Sequence, residues 1–330
     1  MILVIGGAGY IGSHMVKRLC QQGEDVLVMD NLEKGHSEAL VGGRLVNADL
    51  RRRDDLERIF QQYEVECVMH FAAYASVGHS VQNPAMYYEN NVIGCYVLLE
   101  TMRTHKIDRL IFSSSAAVYG EPVTIPIPEN HPKTPTNPYG ETKWVMERML
   151  QWYGEAYGIR SISLRYFNAA GADPEGQIGE DHKPEEHLIP LALLAVLGKR
   201  DKLRVFGTDW ATPDGTCIRD FVHVCDLAEA HLLALQALRK GAGTTAYNLG
   251  NGYGFSVKEV IRTVEKVTGK KVPVESAPRR PGDPAQLVAG SVRIKAELGW
   301  VPRYAQLATI IEHAWNWHKS NPNGYRHRSS

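Results

Sequence analysis

A glycine-rich turn near the start of the 330-residue chain constrains the fold more than any other feature. The segment VIGGAGYIGSH joins the end of an apolar run, Ile2–Ile5, to the start of a helical pattern, Tyr10–Gln22. Its glycines fit the G-x-G-x-x-G and G-x-x-G-x-x-G spacings and are Gly6, Gly7, Gly9 and Gly12. Glycines permit a tight turn and let backbone N–H groups approach a pyrophosphate at the positive end of a helix. A bare match can also be an ordinary turn, but the strand before it and the helix after it favour a dinucleotide site.

Apolar runs alternate with helical patterns over the first half of the chain. Strands are expected at Ile2–Ile5, Asp25–Met29, Arg44–Asn47, Cys67–Phe71, Arg109–Phe112 and Arg160–Arg165, and helices at Asp54–Tyr63, Pro84–His105 and Tyr139–Tyr157. This alternation predicts an α/β fold with a doubly wound parallel sheet of Rossmann type. After residue 170 the pattern loosens, which predicts a smaller C-terminal α/β domain. We therefore expect one domain at 1–170 and a second at 171–330, with a segment at about 210–250 returning to the first domain.

Asp30 indicates which dinucleotide the turn would bind. It lies at the end of the second predicted strand, eighteen residues past Gly12. A carboxylate there can accept hydrogen bonds from both ribose hydroxyls and would repel a 2′-phosphate, which favours NAD over NADP. The alternative is a turn aspartate beside Asn31. Asp49 ends the third strand and could contact the adenine, although a turn role before Arg51 competes with that interpretation.

A second motif lies further along the chain, where an apolar run ends in three serines in FSSSAAVYG. Downstream, Tyr139 and Lys143 lie one helical turn apart and share a face. An ammonium close to a phenol favours the phenolate, so we expect the pKa of Tyr139 to lie below its usual value of roughly 10. Such a pair, following a dinucleotide turn, is typical of a general base that takes a proton from a sugar hydroxyl. The alternative is a solvated tyrosine and lysine without function.

Composition disfavours several other classes of function. The formal net charge is zero, which gives no indication of a nucleic-acid or anionic-membrane partner. The start MILVIGG lacks a basic n-region, so we expect no signal peptide, and the longest apolar run, Leu188–Leu197, is too short to span a bilayer. The five cysteines are scattered without a CxxC motif, which is typical of a reduced cytoplasmic protein. His182 and His187 are five residues apart, but Pro184 interrupts any helix between them, so we expect no metal site.

The combination of GGAGYIG, Asp30, FSSSAAVYG and Tyr139-x-x-x-Lys143 resembles the extended short-chain dehydrogenase/reductase family. Later segments narrow the resemblance to the UDP-hexose 4-epimerases of that family; they are RYFNAAGA, HLIP, DGTCIRDFVHVCDLAEAH, YNLGNG and RRPGDPAQL. The resemblance runs in order from residue 1 to about 318. It implies an isomerase that uses NAD to invert C4 of a UDP-hexose, interconverting UDP-glucose and UDP-galactose through a transient 4-keto sugar. Residues 171–330 would then mainly bind the sugar nucleotide.

The resemblance also implies roles for individual residues. Tyr139 would be the base, Lys143 would tune it, and Ser115 would hydrogen-bond the reacting hydroxyl. The expected NAD-binding residues are Gly6, Gly9, Tyr10, Ile11, Gly12, Asp30, Asn31, Asp49, Leu50, Phe71, Ala72, Ala73, Asn90, Ser113, Tyr139, Lys143 and Phe167. The expected substrate-binding residues are Ser115, Tyr139, Asn168, His187, Leu188, Arg219, Arg280 and Leu287. Family members are commonly homodimers, which implies that Pro84–His105 and Tyr139–Tyr157 pack against the same helices of a second subunit.

Two arginines have an independent case as diphosphate ligands, because planar guanidinium groups suit phosphate oxygens. Arg219 lies in a predicted strand, where an ion pair with Asp220 is the alternative. Arg280 lies in a Pro/Gly loop, where plain solvent exposure is as compatible with the sequence.

Two positions depart from the family pattern. Many members have a lysine where this chain has Ala75, so contacts to the NAD phosphates are expected to be rearranged. At the position of Leu287 a bulky residue is thought to exclude N-acetyl sugars. Leucine is intermediate in size, so this position does not decide between plain and N-acetylated substrates.

Ala116 and Ala117 bear on which reaction follows oxidation of the sugar. The related 4,6-dehydratases eliminate water with an Asp-Glu pair directly after the serine or threonine, and a methyl group cannot move a proton. Dehydration is therefore disfavoured. The remaining alternatives are an epimerase acting on a UDP-N-acetylhexosamine, UDP-pentose or UDP-uronate, a net dehydrogenase, and a silent NAD-binding regulator. The presence of Ser115, Tyr139 and Lys143 disfavours the regulator.

Overall fold

The computed structural model describes residues 1–280 and 282–325; Pro281, within the RRPGDPAQL segment, lies outside the described residues. The strands are β1 (Ile2–Ile5), β2 (Val26–Asp30), β3 (Arg44–Asn47), β4 (Cys67–His70), β5 (Arg109–Ser115), β6 (Arg160–Tyr166), β7 (Asn168–Ala170), β8 (Leu203–Phe206), β9 (Ile218–Arg219), β10 (Phe221–His223), β11 (Thr245–Leu249), β12 (Phe255–Ser256), β13 (Val274–Ala277) and β14 (Gln286–Leu287). The helices are α1 (Tyr10–Gln21), α2 (Arg53–Gln62), α3 (Val77–Gln82), α4 (Pro84–Tyr87), α5 (Gly94–Thr104), α6 (Pro138–Tyr157), α7 (Leu188–Val196), α8 (Val224–Arg239), α9 (Val257–Thr268), α10 (Val292–Leu298) and α11 (Leu307–Ser320).

The central sheet has seven parallel strands in the order β3-β2-β1-β4-β5-β6-β11. All residues of β1, β2 and β4 are buried, which explains why their sequences are continuous apolar runs rather than alternating ones. The strand order reverses between β1 and β4, and such a reversal opens a crevice at the carboxyl ends of the strands. The predicted doubly wound, Rossmann-type α/β fold is therefore confirmed.

Helices cover both faces of this sheet. On one face, α1, α8 and α10 pack a core that includes Met15, Leu235 and Ile294. On the other, α2, α5 and α6 pack a core that includes Leu98 and Met146. All five side chains are fully shielded from solvent, and burying a side chain of this size contributes roughly 1.5–3 kcal/mol.

The later part of the chain forms the smaller α/β unit that the pattern predicted. Helices α7, α9 and α11 share a core of aliphatic side chains such as Ile189, Val260 and Ile310. The same part of the chain contains the pair β8–β13 and the three-stranded sheet β12–β9–β14. Strand β11 pairs with β6 at the edge of the central sheet. The domain limits at residues 170 and 171 stay a prediction.

The predicted helix Pro84–His105 is interrupted. Between α4 and α5 the chain makes a π-helical turn, Tyr88–Ile93, that carries Asn90 and Asn91. The buried Asn91 side chain donates to the carbonyl of Tyr74 and to the hydroxyl of Thr142, which ties this turn to α6. Helical periodicity alone does not reveal such a turn, and π-turns are frequent at functional sites. In the described ranges, no helix has both the length and the apolar character needed to cross a membrane.

Candidate active site

A pocket opens at the carboxyl ends of β1, β2, β4 and β5. The predicted NAD residues that line it are Gly6, Gly9, Tyr10, Ile11, Gly12, Asp30, Asn31, Asp49, Leu50, Phe71, Ala72, Ala73, Asn90, Ser113, Tyr139 and Phe167; the predicted substrate residues Ser115, Asn168 and His187 line it as well. Lys143 lies beneath the surface, 2% exposed. Leu188, Arg219, Arg280 and Leu287 are not among the lining residues. A second depression, at the amino ends of the strands around Tyr63 and His105, contains none of the predicted residues.

The glycine turn is a close-packed cradle. A Cβ atom at Gly6, whose φ is +78°, would lie 2.5 Å from the backbone nitrogen of Ala72. A Cβ atom at Gly12 would lie 2.2 Å from the carbonyl oxygen of Gly6. Only glycine fits at such distances. Gly9 caps α1 and has no side chain to accept from the first N–H groups of the helix, so they can donate to an anion. The cradle therefore fits the pyrophosphate of a dinucleotide.

Asp30 is held in a fixed orientation at the edge of this cradle. Its Oδ2 accepts the N–H of Ala8 and its Oδ1 accepts the N–H of Leu32, both at 2.9 Å. Burial raises the pKa of Asp30, and these two hydrogen bonds oppose that rise. Each carboxylate oxygen still has a lone pair available, so the group can also accept from ribose hydroxyls.

Asp49 is engaged by a neighbouring cation. Arg51 donates to Asp49 through Nε at 2.9 Å and through Nη2 at 2.5 Å, and it holds the pKa of Asp49 well below its usual range. The amide of Asn31 donates to the same carboxylate at 3.1 Å. The turn role beside Arg51, which the sequence left open, is thus present in the structure. An adenine contact would have to share the carboxylate with Arg51.

The start of α6 places the predicted base. The side chain of Asn137 accepts the N–H of Gly140 at 2.9 Å, and Pro138 occupies the first helical position, so the helix begins there. A Cβ atom at Gly140 would lie 2.4 Å from the carbonyl oxygen of Ala117. Glycine therefore lets α6 approach the segment that follows the serines. This approach brings Tyr139 and Ser115 into the same pocket.

The electrostatics of Tyr139 differ from the expectation. Burial raises the pKa of Tyr139, and a hydrogen bond with Ser115 opposes the rise only in part. The Nζ atom of Lys143 lies 6.0 Å from the centroid of the Tyr139 ring, and burial lowers the pKa of Lys143 to about 8. The predicted lowering of the Tyr139 pKa is therefore wrong for the protein alone, because desolvation of the phenolate is the largest influence on this pKa.

A buried charge network behind the serines was not predicted from the sequence. Glu147 accepts the hydroxyl of Ser114 at 2.5 Å and the guanidinium of Arg165 at 2.6 and 2.9 Å. The side chains of Glu147 and Arg165 are only 6% and 5% exposed. Arg165 also donates to the hydroxyl of Tyr119 at 2.7 Å. The network ties α6 to β5 and β6. One feature of the sequence could have pointed to Glu147: it lies four residues after Lys143 and therefore on the same helical face.

Arg219 lies in the middle strand of the sheet β12–β9–β14 and is largely buried. It does not pair with Asp220, whose carboxylate accepts three backbone N–H groups instead. Burial raises the pKa of Asp220 to about 6. The charged neighbour of Arg219 is Asp283, at 3.9 Å. The alternative of an Arg219–Asp220 ion pair is therefore wrong.

The remaining predicted substrate residues surround this sheet and α7. The guanidinium of Arg280 lies 3.8 Å above the centroid of the Phe206 ring, at the end of β8. Phe206 was not predicted, although an aromatic face can stack with a base as well as with a guanidinium. Leu287 pairs with Arg219 in the strand register and packs against a cluster that includes Phe167. Leu188 is the first residue of α7.

A family model described as the NAD dependent epimerase/dehydratase family matches residues 2–250. The chain is 56% identical over 324 residues to the UDP-glucose 4-epimerase of Halalkalibacterium halodurans, which covers 98% of this chain and 97% of that relative. The structure is similar to the UDP-glucose 4-epimerase from Brucella ovis in complex with NAD, with a TM-score of 0.93, 47% identity, and coverage of 95% and 97%. It is also similar to the UDP-glucose 4-epimerase from Bifidobacterium longum in complex with NAD⁺ and UDP, with a TM-score of 0.93, 37% identity, and coverage of 98% and 99%.

Proposed function

The chain belongs to the NAD dependent epimerase/dehydratase family, and on that premise we propose that it inverts C4 of a UDP-hexose, interconverting UDP-glucose and UDP-galactose with NAD as cofactor. The observation that carries this proposal is the convergence of Ser115 and Tyr139 at the glycine cradle, with Lys143 buried beneath them. Ala116 and Ala117 offer no acid or base for an elimination. Inversion, an isomerase reaction, is what these groups can perform.

The pocket fits NAD by its shape and its donors. The cradle between Gly6 and Gly12 would hold the pyrophosphate, and Asp30 would accept from the ribose hydroxyls. When bound there, NAD would supply the acceptor and donor for the hydride of C4, which is what an inversion at this carbon requires. Ala75 lines the pocket where many family members have a lysine, so backbone donors of α1 would hold the phosphates without that ammonium.

Tyr139 removes the proton from the sugar 4-hydroxyl, while Ser115 hydrogen-bonds that hydroxyl. Burial alone keeps the phenol protonated. The ammonium of Lys143 and the positive charge of the oxidised cofactor together favour the phenolate, so the base becomes active when the site is loaded. The protein thereby couples proton removal to cofactor binding.

Both faces of C4 must be presented to one cofactor, so the sugar has to turn while the nucleotide stays anchored. Arg219 and Arg280 are proposed to hold the diphosphate, which carries about two negative charges that guanidinium groups match. Asn168 and His187 at the pocket rim, with Leu188 after them, would hold the nucleotide and sugar. A 4-keto sugar tethered in this way can rotate without leaving the site.

Incubation of the purified protein with UDP-galactose and no added cofactor tests this function. The expected product is UDP-glucose, without net formation of NADH, because NAD is regenerated within each turnover. Accumulation of NADH would indicate a net dehydrogenase, and loss of water from the sugar would indicate a dehydratase. Absence of turnover with any UDP-sugar would contradict the proposal and favour a regulator.

The assembly is proposed to be a homodimer formed by α5 and α6. Four large apolar side chains on these helices and the adjoining π-helical turn are at least half exposed: Ile93, Tyr96, Trp152 and Tyr157. Clustered apolar exposure of this kind is typical of interaction surfaces. A second copy of the chain presents the same face and is the partner that the family pattern implies.

We propose the cytoplasm as the compartment. All five cysteines are free thiols in the structure, and two of them, Cys67 and Cys95, are buried. Unpaired thiols of this kind fit a reducing environment. Fractionation of the native cells, followed by detection of the chain, measures this directly.

A further inference from the structure

Four side chains with metal-binding groups converge in the loop that precedes α7. The loop reads Glu-x-His-x-x-Glu-x-His and contributes Glu180, His182, Glu185 and His187, which we call the loop cluster. One ligand atom from each lies within 4.8 Å of all the others. The side chains of the two carboxylates are only 3% and 8% exposed, whereas those of the two imidazoles are 34% and 52% exposed.

The separations between these atoms lie on either side of those in a tetrahedral metal shell. Zinc bonds of about 2.0–2.2 Å at tetrahedral angles place neighbouring ligand atoms roughly 3.3–3.6 Å apart. The Nδ1 atom of His182 lies 3.1 Å from Glu180 and 3.9 Å from Glu185. The Nδ1 atom of His187 contacts Glu180 and lies 3.8 Å from Glu185. To complete the shell, the contact between His187 and Glu180 would have to lengthen, and the separations of both imidazoles from Glu185 would have to shorten.

We propose that the loop cluster binds one Zn²⁺ ion per chain. Two imidazoles and two carboxylates are a donor set that zinc accepts, and four protein ligands close its coordination shell, which is typical of a structural rather than a catalytic site. A divalent cation also neutralises two carboxylates that are buried side by side and would otherwise repel each other. The sequence-based expectation of no metal site rested on the absence of a helix, and a loop can bring the same residues together.

The competing arrangement is a set of ion pairs among the same four groups without a metal ion. The contacts of Glu185 show that such ion pairs do not engage all of its carboxylate. Its Oε1 accepts the backbone N–H groups of Glu186 and His187 at 2.8 and 2.9 Å. Its Oε2 faces His182 at 3.9 Å, which is too long for a hydrogen bond. A cation shared by both groups would use this oxygen directly.

The ion would also orient a residue of the pocket. His182 and His187 both line the pocket, and the ring of His182 packs edge-on against Tyr10 of the glycine turn, with centroids 6.2 Å apart. Coordination through Nδ1 leaves Nε2 of His187 as an N–H donor. His187 would then present a donor of fixed tautomer to the diphosphate. This orienting role rests on the proposed function, whereas the binding of zinc does not.

Zinc binding is measured directly, so its failure is distinguishable from a failure of epimerase activity. The full chain is treated with a chelator and titrated with Zn²⁺ in competition with a chromophoric chelator, and with Co²⁺ as a spectroscopic probe. We expect one equivalent of Zn²⁺ to bind and raise Tm, and Co²⁺ to show the intense visible absorption of tetrahedral coordination. Glu185→Gln is expected to weaken zinc binding by about tenfold or more. Glu186→Gln, the same change one residue on, is expected to leave it unchanged.

His182→Gln is a second test, because Glu185→Gln removes a charge from a buried group of the loop and could perturb its folding. His182 is a more exposed ligand, and its replacement should also weaken zinc binding. Failure of the unmodified chain to bind Zn²⁺ would overturn the proposal. Equal zinc affinities of Glu185→Gln and Glu186→Gln would do the same, because the ion would then lie elsewhere. Mg²⁺ binding as tight as Zn²⁺ binding would contradict a site with two nitrogen ligands.

Discussion

The ammonium of Lys143 donates a 2.7 Å hydrogen bond to the backbone carbonyl oxygen of Ser113. The side chain is nearly fully buried, and burial lowers its pKa to about 8. One carbonyl replaces only part of the hydration that the ammonium loses on folding. The charge at Lys143 therefore costs folding free energy in the protein alone, which is understandable if the charge serves the reaction.

Lys143→Met is expected to stabilise the cofactor-free protein, and to do so more at about pH 7 than at about pH 9.5. The folded pKa of about 8 lies below the usual 10.5, so the unfolded chain binds more protons between these values. The destabilisation by Lys143 is fully present below pH 8 and fades as pH rises toward 10.5. Its full size is about 3 kcal/mol. Denaturant unfolding of both proteins at the two pH values checks this, and a difference that does not change with pH would contradict it.

Tyr139→Phe is expected to bind NAD and UDP-glucose normally but to lose about a hundredfold or more in turnover, because the ring keeps its shape and loses the acid-base group. Binding is measured by calorimetry and turnover by product analysis. Tyr157→Phe, at the exposed end of the same helix, is the matched control and should keep full activity. If Tyr139→Phe retained activity within a few-fold, another group would have to be the base.

Residues whose role depends on local spacing could be predicted from the sequence. The glycine turn follows β1, while Asp30 and the three serines form the ends of β2 and β5, and parallel strands bring their carboxyl ends to one edge of the sheet. Their meeting in one pocket thus follows from the order of the elements. Tyr139 joins them because Gly140 lets α6 approach closely.

Properties that depend on burial or on distant partners could not be predicted. The pKa of Tyr139 is set by desolvation, which a spacing rule does not contain. Glu147 finds Arg165 on a strand that follows α6, and no pattern in either element marks the pair. The loop before α7 brings Glu180 to His187 without regular structure, so a helical spacing test did not detect it.

Glu147→Gln is expected to reduce the free energy of unfolding by about 3–5 kcal/mol, because it leaves the guanidinium of Arg165 buried and uncompensated. Arg165→Met should have a similar effect by leaving the carboxylate unpaired. Glu147→Leu combined with Arg165→Met should be less harmful than either single loss, since both charges are removed together. Denaturant unfolding provides the measurement. Additive effects of the two changes would show that the ion pair is not the source of the loss.

Leu287→Tyr is expected to depress activity on UDP-N-acetylglucosamine more than activity on UDP-glucose. Leu287 packs against the cluster that contains Ala116 and Phe167, so a larger side chain there would reduce the space for an acetamido group. The ratio of kcat/KM for the two substrates is the measurement. Leu287→Met conserves volume and should leave the ratio nearly unchanged. Equal losses on both substrates would reject a size gate at this position.

Ile93→Glu and Tyr96→Glu are each expected to convert the proposed dimer to monomer at micromolar concentration, because a carboxylate at the centre of an apolar interface must be desolvated without a partner. Both positions are about half exposed in the single chain, so the charge is tolerated in the monomer fold. Val292→Glu, on the 76% exposed first residue of α10, is the matched control and should leave the assembly unchanged. Sedimentation velocity gives the mass in each case. A wild-type chain that sediments as a monomer would exclude the dimer. A dimer that withstands both Ile93→Glu and Tyr96→Glu would place the interface elsewhere.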